Sequence, residues 1–336
     1  MKKLFIPFLF ILIVGCTKQE TKSGKIETIN AKVTAITDSV MTNFPGSLLL
    51  SGHYLVWEDP FNYSAFLKVV DIRTGKQVAQ GGQAGQGPKE FVTPGVHLLS
   101  SDKIGVTDLN SNKRAVLDIE KLLKGEEPFT YFRKNGLRGA TRYLEIEKNI
   151  FVGLYPKENF LFKLIDKNKT ISFGQFPIKE TLDKIDRSNY FQGNLTYNPR
   201  NKKLVYCPYN FPYIITYTKS GDSFRHDKTL KIFDVKYDFI NGQLKFKERI
   251  VLIGEMASTK DYIVVARPKE FKKDIDTNTG DQKRPQTLYL YDYDLHLQKI
   301  IDLRMPVCRL AGNEKSNTVY AIVTNPEYSI VKIELP

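Results

Sequence analysis

Residues 51–77 read SGHYLVWEDPFNYSAFLKVVDIRTGKQ. Two short apolar runs stand in this stretch, Leu55-Val56-Trp57 and Phe66-Leu67-Lys68-Val69-Val70. A polar loop with Pro60, Asn62 and Ser64 separates them, and the second run closes on Asp71 and Gly75. β-Branched and aromatic runs of this length, bounded by Asp, Asn, Pro and Gly, read as strands. The unit is therefore strand–loop–strand.

Working outward, the same pair recurs along the chain. First members are Ile104-Gly105-Val106, Ile150-Phe151-Val152, Leu204-Val205-Tyr206, Ile263-Val264-Val265 and Val319-Tyr320-Ala321. The second members read RAVLDIEKL, FLFKLIDKNK, YIITYTKSGD, LYLYDYDLHL and YSIVKIEL. Counted at Asp71, Asp118, Asp166, Tyr217, Asp292 and Ile333, the steps are 47, 48, 51, 75 and 41 residues, so the long step carries insertions. Flanking strands complete a set of four: residues 47–51, 96–100 and 143–147 before the pair, and 77–80, 129–132 and 170–173 after it.

Six copies of four short antiparallel strands at this period predict an all-β fold, a six-bladed β-propeller. A β-sandwich does not explain six copies of one pair. Helical periodicity is weak, with residues 180–187 the best short segment. The last unit stops at YSIVKIELP, one strand short of four. Residues 25–36, KIETINAKVTAI, alternate like a strand and belong to no unit. They are expected to supply that missing outer strand and close the ring, which hides two otherwise unpaired sheet edges.

The glycine-rich stretch GGQAGQGPKEF, residues 81–91, raises the question of a phosphate loop. Gly82 and Gly87 have the spacing of a P-loop, but Pro88-Lys89-Glu90 follow where Lys and Ser or Thr are needed. Pro88 also removes a backbone N–H. The glycines instead suit the climb from blade rim to central axis, with positive φ where required, and Phe91 is expected to pack between neighbouring blades. The motif GQGPKEF, followed by IGVTDLNSNK, resembles the TolB-like six-bladed propellers of Gram-negative lipoproteins, relatives of the NHL-repeat propellers. The resemblance is clearest over residues 54–118, and Lys89 departs from the glycine common there. It implies fold and address rather than activity.

The chain begins MKKLFIPFLFILIVGCTKQE. Residues 4–14 are almost purely apolar, too short for a membrane-spanning helix of about 20 residues, and they match a secretory h-region. Ile13-Val14-Gly15-Cys16 resembles the bacterial lipobox. The resemblance implies a signal peptide over residues 1–15, cleavage before Cys16, and acylation of that cysteine, palmitate included, as the membrane anchor. Thr17, in place of aspartate, points to the outer membrane, on its periplasmic or cell-surface side. Residues 16–25 are a polar tether and residues 26–336 the propeller, expected as a monomeric body.

The formal net charge is +13, and removing Lys2 and Lys3 leaves +11. Such a balance permits attraction to acidic partners, but no nucleic-acid motif accompanies it and no nucleic-acid partner is expected. With Cys16 lipidated, Cys207 and Cys308 remain, in strands of different repeats, and are expected as buried free thiols.

Two features mark a candidate binding face. Loops between the second and third strands combine proline with aromatics and amides, including Tyr63 near Pro60, Tyr209 and Phe211 beside Pro208, and Tyr328 after Pro326. Arg138, Arg142, Arg249 and Arg309 fall near the starts of inner strands, where guanidinium forks could line a positive funnel for carboxylate or sulfate. Residues 268–286 form a charged insertion in the fifth unit; its DIDTNTGD departs from a calcium loop because Thr279 stands directly after Asn278 where the pattern needs glycine, and no Glu follows at the required distance. His53, His97, His226 and His296 lie in different units without a catalytic neighbourhood. Inner-strand starts offer Arg, Phe and Leu rather than metal ligands. The expectation is a non-catalytic envelope module that binds or scaffolds a glycan, peptide or protein, without cofactor or metal. The alternative is a metal-dependent propeller hydrolase or lyase acting on glycans or lactones.

Overall fold

A computed structural model describes residues 26–167, 169–234, 236–241, 243–247, 254–267, 284–324 and 326–336. The chain forms a six-bladed β-propeller of antiparallel, essentially four-stranded blades. Blade 1 is Leu48–Ser51, Tyr54–Glu58, Leu67–Asp71 and Gln77–Gly81, and blade 2 is Pro94–Ser100, Lys103–Asp108, Lys113–Leu117 and Phe129–Tyr131. Blade 3 is Arg142–Glu147, Ile150–Leu154, Phe162–Ile165 and Thr170–Phe173, and blade 4 is Gly193–Asn198, Lys203–Pro208, Tyr213–Ser220 and Ser223–Lys231. Blade 5 is Glu255–Ser258, Ile263–Ala266, Thr287–Tyr291 and Leu297–Asp302, and blade 6 begins with Val307–Asn313, Thr318–Thr324 and Tyr328–Glu334. The first strand of each blade touches the first strand of the next, and Val307–Asn313 returns to Leu48–Ser51, so these strands ring the axis.

Burial explains why the sequence signal was strongest where it was. Second and third strands are flanked by other strands and covered on both faces by neighbouring blades. They read as largely apolar runs: all five residues of Leu67–Asp71, Lys68 and Asp71 included, and all four of Ile263–Ala266 are buried. Outer strands face solvent, as in the polar Gln77–Gly81.

The N-terminal segment closes the ring, in two pieces rather than the single strand expected. Lys32–Thr37 pairs antiparallel with Tyr328–Glu334, setting Val33 opposite Ile333. Upstream, Thr28–Ile29 lies parallel to Leu297–Asp302 of blade 5 and gives that sheet a fifth strand. Ile29, Ala31 and Val33 pack against the core shared by blades 5 and 6.

Local departures have simple causes. RAVLDIEKL is a strand only to Leu117. Asp118 then caps helix α1 (Ile119–Leu123), its carboxylate accepting from the Lys121 N–H, and Leu122 is buried. The helical signal at 180–187 appears as α2 (Lys184–Phe191), shifted because Asp183 supplies the N-cap to the Asp186 N–H. A hairpin, Tyr237–Ile240 with Gln243–Phe246, accounts for part of the long step between units four and five. The insertion at 268–283, with its calcium-like aspartates, lies outside the described residues. No helix among the described residues is long and apolar enough to cross a membrane.

In the 81–91 loop Phe91 is fully buried, in edge contact with Phe66 of blade 1 and Phe129 of blade 2. Only Gly82 of its glycines takes positive φ, at 77°. At Gly85 and Gly87 the Glu90 carboxyl lies where a Cβ would stand, so a side chain at either would displace it. That carboxyl accepts the Gly87 N–H at 2.7 Å, so the loop's own glutamate occupies the place a phosphate would need.

Candidate functional site at the mouth of the axial tunnel

The starts of the inner strands, the ends of the second strands and the blade-to-blade loops emerge on one face, here the entry face. At its centre an axial cavity of about 370 Å³ is lined by Glu58, Arg142, Asn194, Tyr209, Glu255 and Arg309, among others. A neighbouring cavity of about 420 Å³ shares Ser47, Glu58, Arg142 and Tyr209 and adds His97 from blade 2. The shared residues form the wall between the two.

Arg309 reaches inward from the sixth blade. Its Nη1 donates to Glu255 Oε1 at 3.2 Å and to the Cys308 carbonyl at 2.7 Å, and its Nε donates to the Gly46 carbonyl at 2.5 Å. The guanidinium also lies 4.9 Å from the Phe44 ring centre. Arg142 opens the inner strand of blade 3. Its Nη2 donates to the Tyr209 hydroxyl at 2.5 Å, and that hydroxyl donates in turn to Asn194 Oδ1 at 3.2 Å. The two arginines are thus oriented by three other blades.

Two carboxyls face them. Glu255 is only 20 % exposed, and burial pushes its carboxyl up to about 7 although Arg309 and Arg142 pull the other way. Glu58 accepts the Ser47 N–H at 3.2 Å, and burial raises it too. His97 is held neutral: burial first, then the Arg142 charge, depress it to about 3. Its ring packs on Tyr143 and its Nε2 has no partner among the described residues. At the far end of the inner strand of blade 6, Glu314 also borders the axial cavity, pushed up to about 7 by burial with Arg200 opposing.

The tunnel mouth mixes guanidinium and carboxyl groups rather than carrying arginines alone. Arg142 and Arg309 do meet at the tunnel, but Glu58 and Glu255 offset them. Glu255 stands at an inner-strand start, where sequence reading expected Arg, Phe and Leu. Arg138 is not at the tunnel; it is exposed and lines a separate cleft at the rim. Arg249 lies outside the described residues. Of the aromatics, Tyr209 joins the tunnel wall. Tyr63 stands on the outer rim, 70 % exposed. Tyr328 accepts from Arg284 Nη2 at 2.9 Å, beside the Phe44 ring that Arg284 also approaches. Phe211 is not a rim residue but a core one, stacked on Phe191 of α2 and Tyr213. Cys207 and Cys308 are free and buried. The missed residues are Glu58, at the end of a second strand, and Asn194 and Glu255, at inner-strand starts; those positions were the available signal.

The entry face is also apolar in places. Of the thirteen exposed large apolar or aromatic side chains among the described residues, all but Ile26 and Val78 lie on its loops or strand ends, among them Met41, Phe44, Phe61, Tyr63, Leu109 and Phe160.

No family model and no curated protein sequence matches the chain. Solved structures do. A member of the DUF4221 family from Bacteroides vulgatus aligns with TM-score 0.56 at 12 % identity, over 92 % of this chain and 97 % of that one. A protein from Bacteroides fragilis described as exported aligns with TM-score 0.54 at 12 % identity, over 92 % and 97 %. The calcium-binding protein regucalcin from Agrobacterium tumefaciens aligns with TM-score 0.50 at 9 % identity, over 92 % and 96 %. At these identities the likeness is one of fold: the chain shares the β-propeller of these proteins along nearly its whole length.

Proposed function

We propose that the chain is a non-catalytic binding module of the cell envelope, whose tunnel mouth seats one or two sugar residues of a glycan. One observation carries the reading: five blades send Glu58, Arg142, Asn194, Tyr209, Glu255 and Arg309 to one axial cavity. Sugar hydroxyls both donate and accept hydrogen bonds. A wall that alternates carboxyl, guanidinium, amide and phenol answers both roles. The volume of about 370 Å³ falls in the range of small-ligand sites. The metal-dependent alternative is the less favoured reading, since no group of three or more His, Cys, Asp or Glu that could hold a metal ion occurs among the described residues.

The address belongs to the same proposal. The h-region and Cys16 support a lipoprotein anchored to the outer membrane, with residues 16–25 as tether, of the TolB-like kind. The glycan reading is tested by isothermal titration with a panel of neutral oligosaccharides, which the rim cations described below would not hold. The expected result is micromolar binding of at least one, weakened tenfold or more by Arg142→Met. Absence of binding across the panel, or binding indifferent to Arg142→Met, overturns it.

A further inference from the structure

A second cleft lies at the rim of the entry face, away from the tunnel. Its walls come from the 81–91 loop, the end of blade 2 and the connection to blade 3, and they enclose about 1120 Å³. Five cationic side chains line it, Lys113, Arg114, Arg133, Lys134 and Arg138, and no carboxylate does.

The partners of these cations leave their charge in place. Lys113 Nζ donates to two carbonyls, Gly87 O at 2.7 Å and Glu90 O at 2.5 Å. Lys134 Nζ reaches the Asn149 carbonyl at 3.5 Å and lies 5.6 Å from the Phe151 ring centre. Arg114 is 95 % buried: its Nη1 donates to Asn112 Oδ1 and its Nη2 to the Leu137 carbonyl, while its Nε has no partner among the described residues. Arg133 and Arg138 are exposed, and their side chains make no hydrogen bond or ion pair with other described residues. Arg114 also lies 5.8 Å from the Tyr143 ring centre, so a buried guanidinium stands behind two exposed, unengaged ones and no acid lines the cleft to offset their charge.

We propose that this cleft binds an acidic polysaccharide, a chain carrying sulfate or carboxylate groups. The free guanidinium forks suit such oxyanions, and several cations along one cleft suit a repeating anion better than a single one. The remaining lining residues fit sugar rather than lipid. Tyr131 is 39 % exposed, with its ring stacked on Phe91 and its hydroxyl donated to the Lys89 carbonyl at 3.0 Å, so it offers a fixed aromatic surface. Ser111, Asn112 and Asn135 add polar groups for hydroxyls. This site does not rest on the tunnel reading.

The test uses the full chain with heparin as the probe, by titration at low and at 0.3 M salt. The double variant Arg133→Gln/Arg138→Gln removes two exposed charges and should melt with the wild type. Expected are heparin binding weakened tenfold or more by the double variant and by salt, no competition from neutral dextran, and unchanged heparin affinity in Arg142→Met. Failure of heparin to bind, or equal binding by the double variant, overturns the proposal. So does competition by glycerophosphoglycerol as effective as that by heparin, because the cleft would then read a phospholipid headgroup.

Discussion

Glu255 Oε1 and Arg309 Nη1 lie 3.2 Å apart across the boundary between the fifth and sixth blades, each side chain only 20 % exposed. The pair ties two neighbouring wedges at the axis and sets the charge of the tunnel mouth. Removing one partner strands the other. Arg309→Met should destabilise the fold by about 3 kcal/mol, and Glu255→Gln in the same chain should restore part of that loss. Denaturant unfolding of the two single variants and the double one measures the coupling; additive effects would show that the pair does not act as a unit.

The same carboxyl makes stability depend on pH. Glu255 and Glu314 both titrate near 7 in the fold, above the usual 4.5 of the unfolded chain. A raised carboxyl binds its proton more tightly when folded, so its contribution is complete below pH 4.5 and is lost as pH rises through 7. The melting temperature should therefore fall between pH 5 and 8 from these two groups. Glu255→Gln and Glu314→Gln should each flatten the fall, by at least about 1 kcal/mol across the window. A wild-type profile that both variants reproduce would contradict the assignment.

Ring closure depends on Val33 facing Ile333. Val33→Asp puts a charge against the apolar core shared by the last two blades and should cost about 2–3 kcal/mol. It should also release the outer edge of blade 6, which invites pairing with another molecule. Thermal melting and size-exclusion chromatography read the two effects; a variant that melts and elutes as wild type would mean the closure is dispensable.

Two glycines with positive φ should differ in their tolerance. At Gly52, φ 61°, a Cβ meets nothing, whereas at Gly82, φ 77°, it comes within 2.7 Å of the Phe66 ring. Gly52→Ala should cost about 1 kcal/mol for conformation alone. Gly82→Ala should cost roughly 1–3 kcal/mol more as Phe66 is displaced. Equal melting temperatures for the two variants would show that Phe66 yields freely.

Replacement of Cys16 by alanine tests the anchor. Cell fractionation should find the wild-type chain with membranes and Cys16→Ala in the soluble fraction, because two or three acyl chains are what hold such a protein stably. Membrane retention of the variant would defeat the lipoprotein reading.

The repeat was legible because the strands that carry it are buried on both faces, and burial forces an apolar run whatever the neighbours are. Leu67–Asp71 and Ile263–Ala266 announce themselves for that reason. The closing strand was legible because an open ring leaves an edge that some segment must cover, and residues 25–36 alternated without belonging to a unit. Its division between two blades was not, since pairing of Thr28–Ile29 with Leu297–Asp302 depends on where the two blades sit. The site divided in the same way. Chain order alone put Arg142 and Arg309 near inner-strand starts. That Glu58 and Glu255 would stand against them, that Arg138 would turn to a separate rim cleft and that Phe211 would sink into the core was decided only when six blades met around one axis. Residues that share the tunnel lie far apart in the chain, Gly46 and Arg309 by 263 positions. Sequence dictates what each strand buries; the charge of a space enclosed by six strands belongs to none of them singly.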